Sequence, residues 1–243
     1  MIMKNSALTC ARYAFRPNKL KYCGPEKNQE LFEYLKAQED DGGLKNILEN
    51  FECLYPYLNY IGGRNKTSDC FNTEVSKAYW VGNDFLNNTG GAKLYGYLED
   101  NFAINKKNTR EEIDNLSSKI VLGANAHHSF HVFNVWQSPK QAENPHVLYI
   151  MDECRVGWGE VREILGEIIK VLYEPVVFAG GRLSFGAPVV KDIFYELRNA
   201  PVKKGDWISF HWSSFCEVLS PEDLKNLIYW TSINLKLANY VKK

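Results

Sequence analysis

Three histidines fall within five residues, at His127, His128 and His131, and imidazole nitrogen is a common transition-metal ligand. On a helix His127 and His131 would share a face at i, i+4, and on a strand the same two would still point together. That is metal-ligand spacing, so a zinc- or nickel-binding module is one reading, with ordinary packing as its alternative. No glutamate follows the first histidine, so the zincin HExxH pattern with its general base is absent. Cys23 precedes Gly24 and Pro25 at what reads as a helix start. The positive end of the helix dipole would lower a thiol pKa there. With His128 as base, Cys23 would be the nucleophile of a cysteine-dependent transferase or hydrolase; the plainer alternative is a turn cysteine. Cys10, Cys53, Cys70, Cys154 and Cys216 complete the set of six. None forms a CxxC pair, which excludes a zinc ribbon or a thioredoxin motif.

Composition bounds what these groups can serve. The chain has 243 residues, 45% hydrophobic and 24% charged, with Lys plus Arg balancing Asp plus Glu at 29 each. No global field draws it to nucleic acid or an anionic membrane. The opening MIMKNSALTCARYAF lacks the apolar core of a signal peptide, and no run of 18 apolar residues occurs, so a cytoplasmic location with free thiols is expected.

The elements that must position these groups change character along the chain. Leu31, Phe32 and Leu35 fall on one helical face, and Leu44, Ile47, Leu48, Phe51, Tyr55 and Leu58 form a second stripe that Pro56 should kink or shorten. Thr73 opens a further segment, and Thr109 with Glu112 makes a capping-box pattern. Four or five helices are expected over 25–121, with loops at 87–92 and 105–108. Beyond 145, EIIKVLY, VVF, RLSF, VVKDIFY and DWISFHW are short β-branched and aromatic runs separated by turn signals, the pattern of a small barrel. Ser220, Pro221 and Asp223 begin a closing helix. The expected fold class is α+β: a mainly helical domain over 1–144, then a β-barrel domain with a C-terminal helix over 145–243.

The order CRVGWGEV, a Gly-Gly hairpin, GDWISFHW and CEVLSPEDLKNLI resembles the hydrogenase assembly chaperone family of HypC/HupF type over about 90 residues. The whole chain, with ARYAFRPNKLKYCGP and HHSFHVF, also resembles an uncharacterised bacterial family associated with nickel-iron hydrogenase maturation genes. The first resemblance implies an OB-like barrel and a functional pair, the leading cysteine and a strand histidine, which fall on Cys154 and His211. In the family that cysteine follows the initiator methionine, whereas Cys154 is internal, and the family's Pro-Gly is replaced by Trp158 and Gly159. The resemblance further implies an accessory protein that transiently carries an iron unit, an iron-cyanide-carbonyl unit being one form of it, through Cys154. Its partners would be hydrogenase maturation proteins or the hydrogenase large-subunit precursor. A thiolate is a soft ligand suited to such an iron, and an imidazole can complete the site. Strand alternation sets Ile208, Phe210 and Trp212 against Ser209, His211 and Ser213, which puts His211 on an accessible polar face. Asp152, Glu153, Arg155, Arg12 and Arg16 read as solvated charges without a role.

Overall fold

The computed structural model describes residues 6–136, 139–198 and 200–241; residues 1–5 of the opening stretch lie outside them. The fold is α+β, with helices through the N-terminal part, then a β-sheet region and a C-terminal helix. Helix α1 (Ser6–Lys19) is followed by α2 (Asn28–Ala37), α3 (Gly43–Glu49), α4 (Tyr55–Arg64) and α5 (Thr73–Trp80). Then come α6 (Ala92–Phe102), α7 (Ile104–Lys107), α8 (Arg110–Val121), the single turn α9 (His128–Phe130) running into a π-helical turn His131–Trp136, and α10 (Pro145–Cys154). The helical character expected over 25–121 is present, in more and shorter pieces. The capping box forms, with the Thr109 side chain and Glu112 satisfying each other's backbone N–H. The expected loop at 105–108 is largely the short helix α7, and 87–92 runs from a 3₁₀ turn into α6.

The stripe from Leu44 to Leu58 is two helices, not one kinked helix. Pro56 sits in the first turn of α4, where its missing N–H costs nothing, and α3 ends at Glu49. Glu52 and Cys53 lie in the break. Cys23 likewise does not start a helix: it lies in the turn after α1, five residues before α2 begins. Gly24 takes φ +82° there, and a Cβ on it would run into the Phe51 ring, so glycine packs the Cys23 turn against the Cys53 break.

The strands are β1 (Gly157–Leu165), β2 (Ile168–Tyr173), β3 (Val176–Ala179), β4 (Arg182–Phe185), β5 (Val189–Phe194), β6 (Trp207–His211) and β7 (Ser214–Val218), before α11 (Pro221–Ala238). Pairing runs β1-β2-β5-β7-β6, and β6 returns to β1 antiparallel; β3 and β4 form a separate hairpin. Val161, Ile169, Val171, Ile193, Ile208 and Phe210 fill the inside. The α11 start is capped by Ser220, whose hydroxyl accepts from the Asp223 N–H. One cluster joins Tyr13 and Tyr79 of the helices and Phe51 of the α3–α4 break to Val156, Trp158 and Cys216 of the strand region.

The charges flanking Cys154 are buried, against expectation. Arg155 is 1% exposed. Its Nε meets Asp152 Oδ1 at 3.0 Å, one guanidinium nitrogen donates to the Glu174 carbonyl, and the guanidinium lies over the Trp158 ring at 4.9 Å. Glu153 is equally buried, paired with Lys191 and accepting from the Ser213 hydroxyl at 2.7 Å. Helix α10 delivers both to one turn, and a buried charge persists only with such partners. Arg155→Leu removes the cation from a mostly buried Asp152 carboxylate that keeps only the Tyr173 hydroxyl and the Val176 N–H as donors, so denaturant unfolding should show a loss of about 2 to 4 kcal/mol. A loss under about 1 kcal/mol would show that the pair does not hold this turn.

Candidate metal centre

Cys154 is the last residue of α10, three residues before β1 begins, rather than the head of the strand. Its carbonyl and its sulfur both face inward. The Nε2 atoms of His128 and His211 each lie 2.7 Å from the Cys154 carbonyl oxygen, and Cys154 Sγ is 3.9 Å from His128 Nε2. One ligand atom from each of His128, Cys154 and His211 falls within 4.8 Å of the others, the one such trio among the described residues. Two ligands on one tetrahedral ion, one nitrogen and one sulfur, would sit about 3.6 Å apart by ordinary bond lengths.

His211 is 2% exposed, not on an accessible face. Strand β6 is covered on both sides: Ile208 and Phe210 point into the strand core, while Ser209 and His211 meet α1. The Tyr13 phenol lies 2.8 Å from Ser209 Oγ, and the Tyr13 carbonyl lies 2.6 Å from His211 Nδ1. Alternation holds from Ile208 to His211, with a second apolar layer on the polar side, but the strand ends there: Trp212 and Ser213 lie in the turn at φ 52° and 54°, and Trp212 lines the cavity with His211 rather than joining Ile208 and Phe210.

The expected pairing of His127 with His131 does not occur. His127 sits before the helix at φ −77° and ψ 147° and caps it, its side chain accepting from the Ser129 N–H. His128 alone joins Cys154 and His211, its ring perpendicular to that of His211 at a centroid distance of 5.1 Å. His131 turns the other way, its Nδ1 3.1 Å from the Tyr57 phenol. Among the described residues no histidine is hydrogen-bonded to Cys23, which shares the cavity wall with Cys53 and His131. Donating to Cys53 pushes the Cys23 thiol up rather than down, and the same hydrogen bond holds Cys53 well below the usual thiol range. Cys23, Cys53, Cys154, His128, His131 and His211 all line one cavity of about 110 Å³. Cys53 is the residue that sequence reasoning missed. Its signal was the chain break imposed by Pro56, which takes Cys53 off any helical face.

Hydrogen counting distinguishes what the trio is built for. His211 touches the Tyr13 and Cys154 carbonyls, His128 touches the Cys154 carbonyl and the Tyr79 hydroxyl at 2.9 Å, and that hydroxyl reaches the Cys53 carbonyl at 3.0 Å. Those are five contacts that each need a hydrogen, while two neutral imidazoles and one phenol supply three. Protonating the rings to fill the gap is opposed by burial, which pushes His211 down to about 4 and His128 well below its usual value. Placing the three hydrogens on both Nδ1 atoms and the phenol makes every outer contact. It also frees both Nε2 lone pairs for an ion, while their 2.7 Å contacts with the Cys154 carbonyl oxygen then carry no hydrogen and must open as the ion enters. An oxygen acceptor behind each ring nitrogen is the arrangement that orients metal-ligating histidine. The Trp212 indole Nε1, buried beside this sulfur without a full hydrogen bond, would serve a thiolate there. Burial pushes the Cys154 thiol up to about 12, so in the absence of a cation the sulfur keeps its proton. The residues fit a thiophilic transition-metal ion such as iron or zinc.

Tyr79→Phe deletes the hydroxyl behind His128. It should weaken Co²⁺ binding about 10- to 100-fold in a chelator competition, and unchanged affinity would remove the orienting role. A second expectation concerns acid. Burial lowers His127 to about 3 and His211 to about 4, so the folded state binds fewer protons than the unfolded state below about pH 6.5. Stability of the metal-free protein should therefore fall as pH drops from about 6.5 toward 4, and His127→Gln should flatten that slope. A pH-independent unfolding free energy across this window would contradict the buried neutral rings.

Among the described residues no helix is long and apolar enough to cross a membrane. No curated protein and no solved structure matches the chain. A family model covers residues 3–243, so helices, strands and the His128, Cys154 and His211 trio belong to one family unit, and the chain is a member of the family of unknown function DUF6390.

Proposed function

We propose that this protein is a metal-handling accessory protein that binds an iron unit between His128, Cys154 and His211 and passes it on, without catalysing a reaction of its own. The single observation that carries the reading is the inward convergence of two Nε2 atoms on Cys154, with an oxygen behind each ring. The resemblance of the C-terminal part to the HypC/HupF hydrogenase chaperones supplies the cargo and the setting. The cargo is iron, carried with cyanide and carbonyl ligands, and the setting is nickel-iron hydrogenase maturation in the cytoplasm. The cyclic strand pairing supports reading residues 145–243 as an OB-like barrel domain. The helical domain over 1–144 would then recognise a maturation protein or the large-subunit precursor. Soft thiolate plus imidazole suits iron carrying strong-field ligands, and Cys154 lines the cavity wall, the route by which a partner would reach it.

A second reading, a zinc or nickel module, uses the same three ligands, since two histidines and one cysteine suit zinc equally well. The rival thiol enzyme loses support because Cys23 faces Cys53 instead of a histidine base.

Anaerobic purification from a hydrogenase-producing host, with infrared and elemental analysis, separates these. Cyanide and carbonyl bands with one iron per chain are expected, and both should vanish in Cys154→Ala while the melting curve stays cooperative. Bound zinc or nickel without such bands would establish the second reading. A folded Cys154→Ala protein that still supports full hydrogenase maturation would refute the carrier mechanism.

A further inference from the structure

Helix α8 carries a lysine where its apolar face calls for a hydrophobe. Leu116 and Ile120 bury that face, and Lys119 between them is carried inward to 5% exposure. Glu112, Asn115, Leu116 and Lys119 recur at helical spacing, and all four line a cavity of about 600 Å³, a volume within the range of small-molecule sites. Cys53, His131 and Trp136 line this cavity and the metal cavity alike, so the two share a wall. Lys119 has neither a hydrogen bond nor an ion pair among the described residues, and burial, with no neighbouring charge to oppose it, pushes its pKa down to about 8. At neutral pH it is therefore a buried ammonium without an acceptor, a costly state. The Asn134 amide leaves a second gap on the same wall. Its Nδ2 donates to the Asn234 carbonyl at 3.0 Å, while its buried Oδ1 accepts nothing.

We propose that this cavity binds a small organic monocarboxylate, its carboxylate on the Lys119 ammonium, a hydroxyl or amino group donating to Asn134 Oδ1, and its apolar body against Phe102 and Trp136. The site goes beyond the carrier reading and does not depend on it. The other titratable groups lining the cavity are Cys53, Lys107, Glu111, Glu112, His131 and Tyr240. Glu111 and Glu112 are both exposed, and Glu112 is engaged by the Thr109 hydroxyl at 2.9 Å. One buried positive charge is balanced by one negative charge, whereas a phosphate dianion would bring an excess that the two glutamates repel. Because the carboxylate needs the protonated amine, binding should weaken by up to about tenfold per pH unit above about pH 8.

The test is calorimetric titration of the full-length, reduced, metal-free protein with 3-phenyllactate, which carries a carboxylate, a hydroxyl and an apolar body. Saturable one-to-one binding is expected at pH 7, and phenyl phosphate and 3-phenylpropanol should each bind at least about tenfold more weakly. Lys119→Met should weaken 3-phenyllactate binding by at least about tenfold and abolish its fall above pH 8. The same substitution replaces an unpaired buried ammonium by an apolar chain of similar volume, so the melting temperature should stay the same or rise. No saturable binding of 3-phenyllactate, binding unchanged in Lys119→Met, or phenyl phosphate as the tighter ligand each overturns the site. A lower melting temperature in Lys119→Met shows that the ammonium is already satisfied within the protein and overturns it as well.

Discussion

Everything at the site hangs on the turn at Cys154, and that turn is held from both sides by buried charge. On one side Glu153 is tied to Lys191 of β5 and to Ser213 in the β6–β7 turn, and its carbonyl accepts the Trp212 N–H at 2.9 Å. On the other, Arg155 bridges Asp152 and the Glu174 carbonyl while lying against Trp158 and Phe185. Such pairs contribute little net stability over an apolar filling, because desolvation offsets most of their attraction. Their effect is directional: ion pairs of fixed geometry leave the helix-to-strand turn one conformation, in which the Cys154 sulfur and carbonyl both face the two histidines.

The second constraint is helix α1, which stands between the helical part and the strands. Tyr13 stacks on Trp80 at 5.0 Å, and its hydroxyl reaches Ser209 and donates to Glu217 at 2.5 Å. Its carbonyl takes His211 Nδ1. Trp80 in turn lies against both His128 and His211. One tyrosine therefore seals the polar face of β6, sets the ring of one ligand and supports the aromatic plate behind the other. The imidazoles are dry because a helix and an indole cover them. That low dielectric is what makes their protonation costly.

How much of this could be read in advance follows from what each signal encodes. Local patterns survived: the box at Thr109 and Glu112, the start at Ser220, and the strand runs after 157 all depend on neighbours in sequence. The proximity of Cys154 to His211 came from a resemblance, and the geometry puts the two in contact. What failed were inferences needing a distant partner. The sequence makes His211 look exposed because period 2 says which residues share a face, but not what packs on it. Arg155 and Glu153 look solvated because nothing local marks Glu174 or Lys191 as their partners. Cys53 went unremarked because it gains its meaning from Cys23 and His131, 30 and 78 positions away in the numbering.

Burial acts on the two ligand types in opposite senses, and that decides when the site can accept a metal. It lowers the histidines, so near neutral pH they are already in the neutral form that a metal needs. It raises Cys154 to about 12, so the sulfur is not. The incoming cation must supply the field that removes that proton, since a coordinated thiol ionises while an isolated buried one does not. Affinity therefore carries one proton of pH dependence from Cys154 and almost none from the rings. The metal-free protein consequently keeps a neutral, thiol-bearing trio rather than a charged void. A site poised this way would gain its charge only together with the ion that balances it.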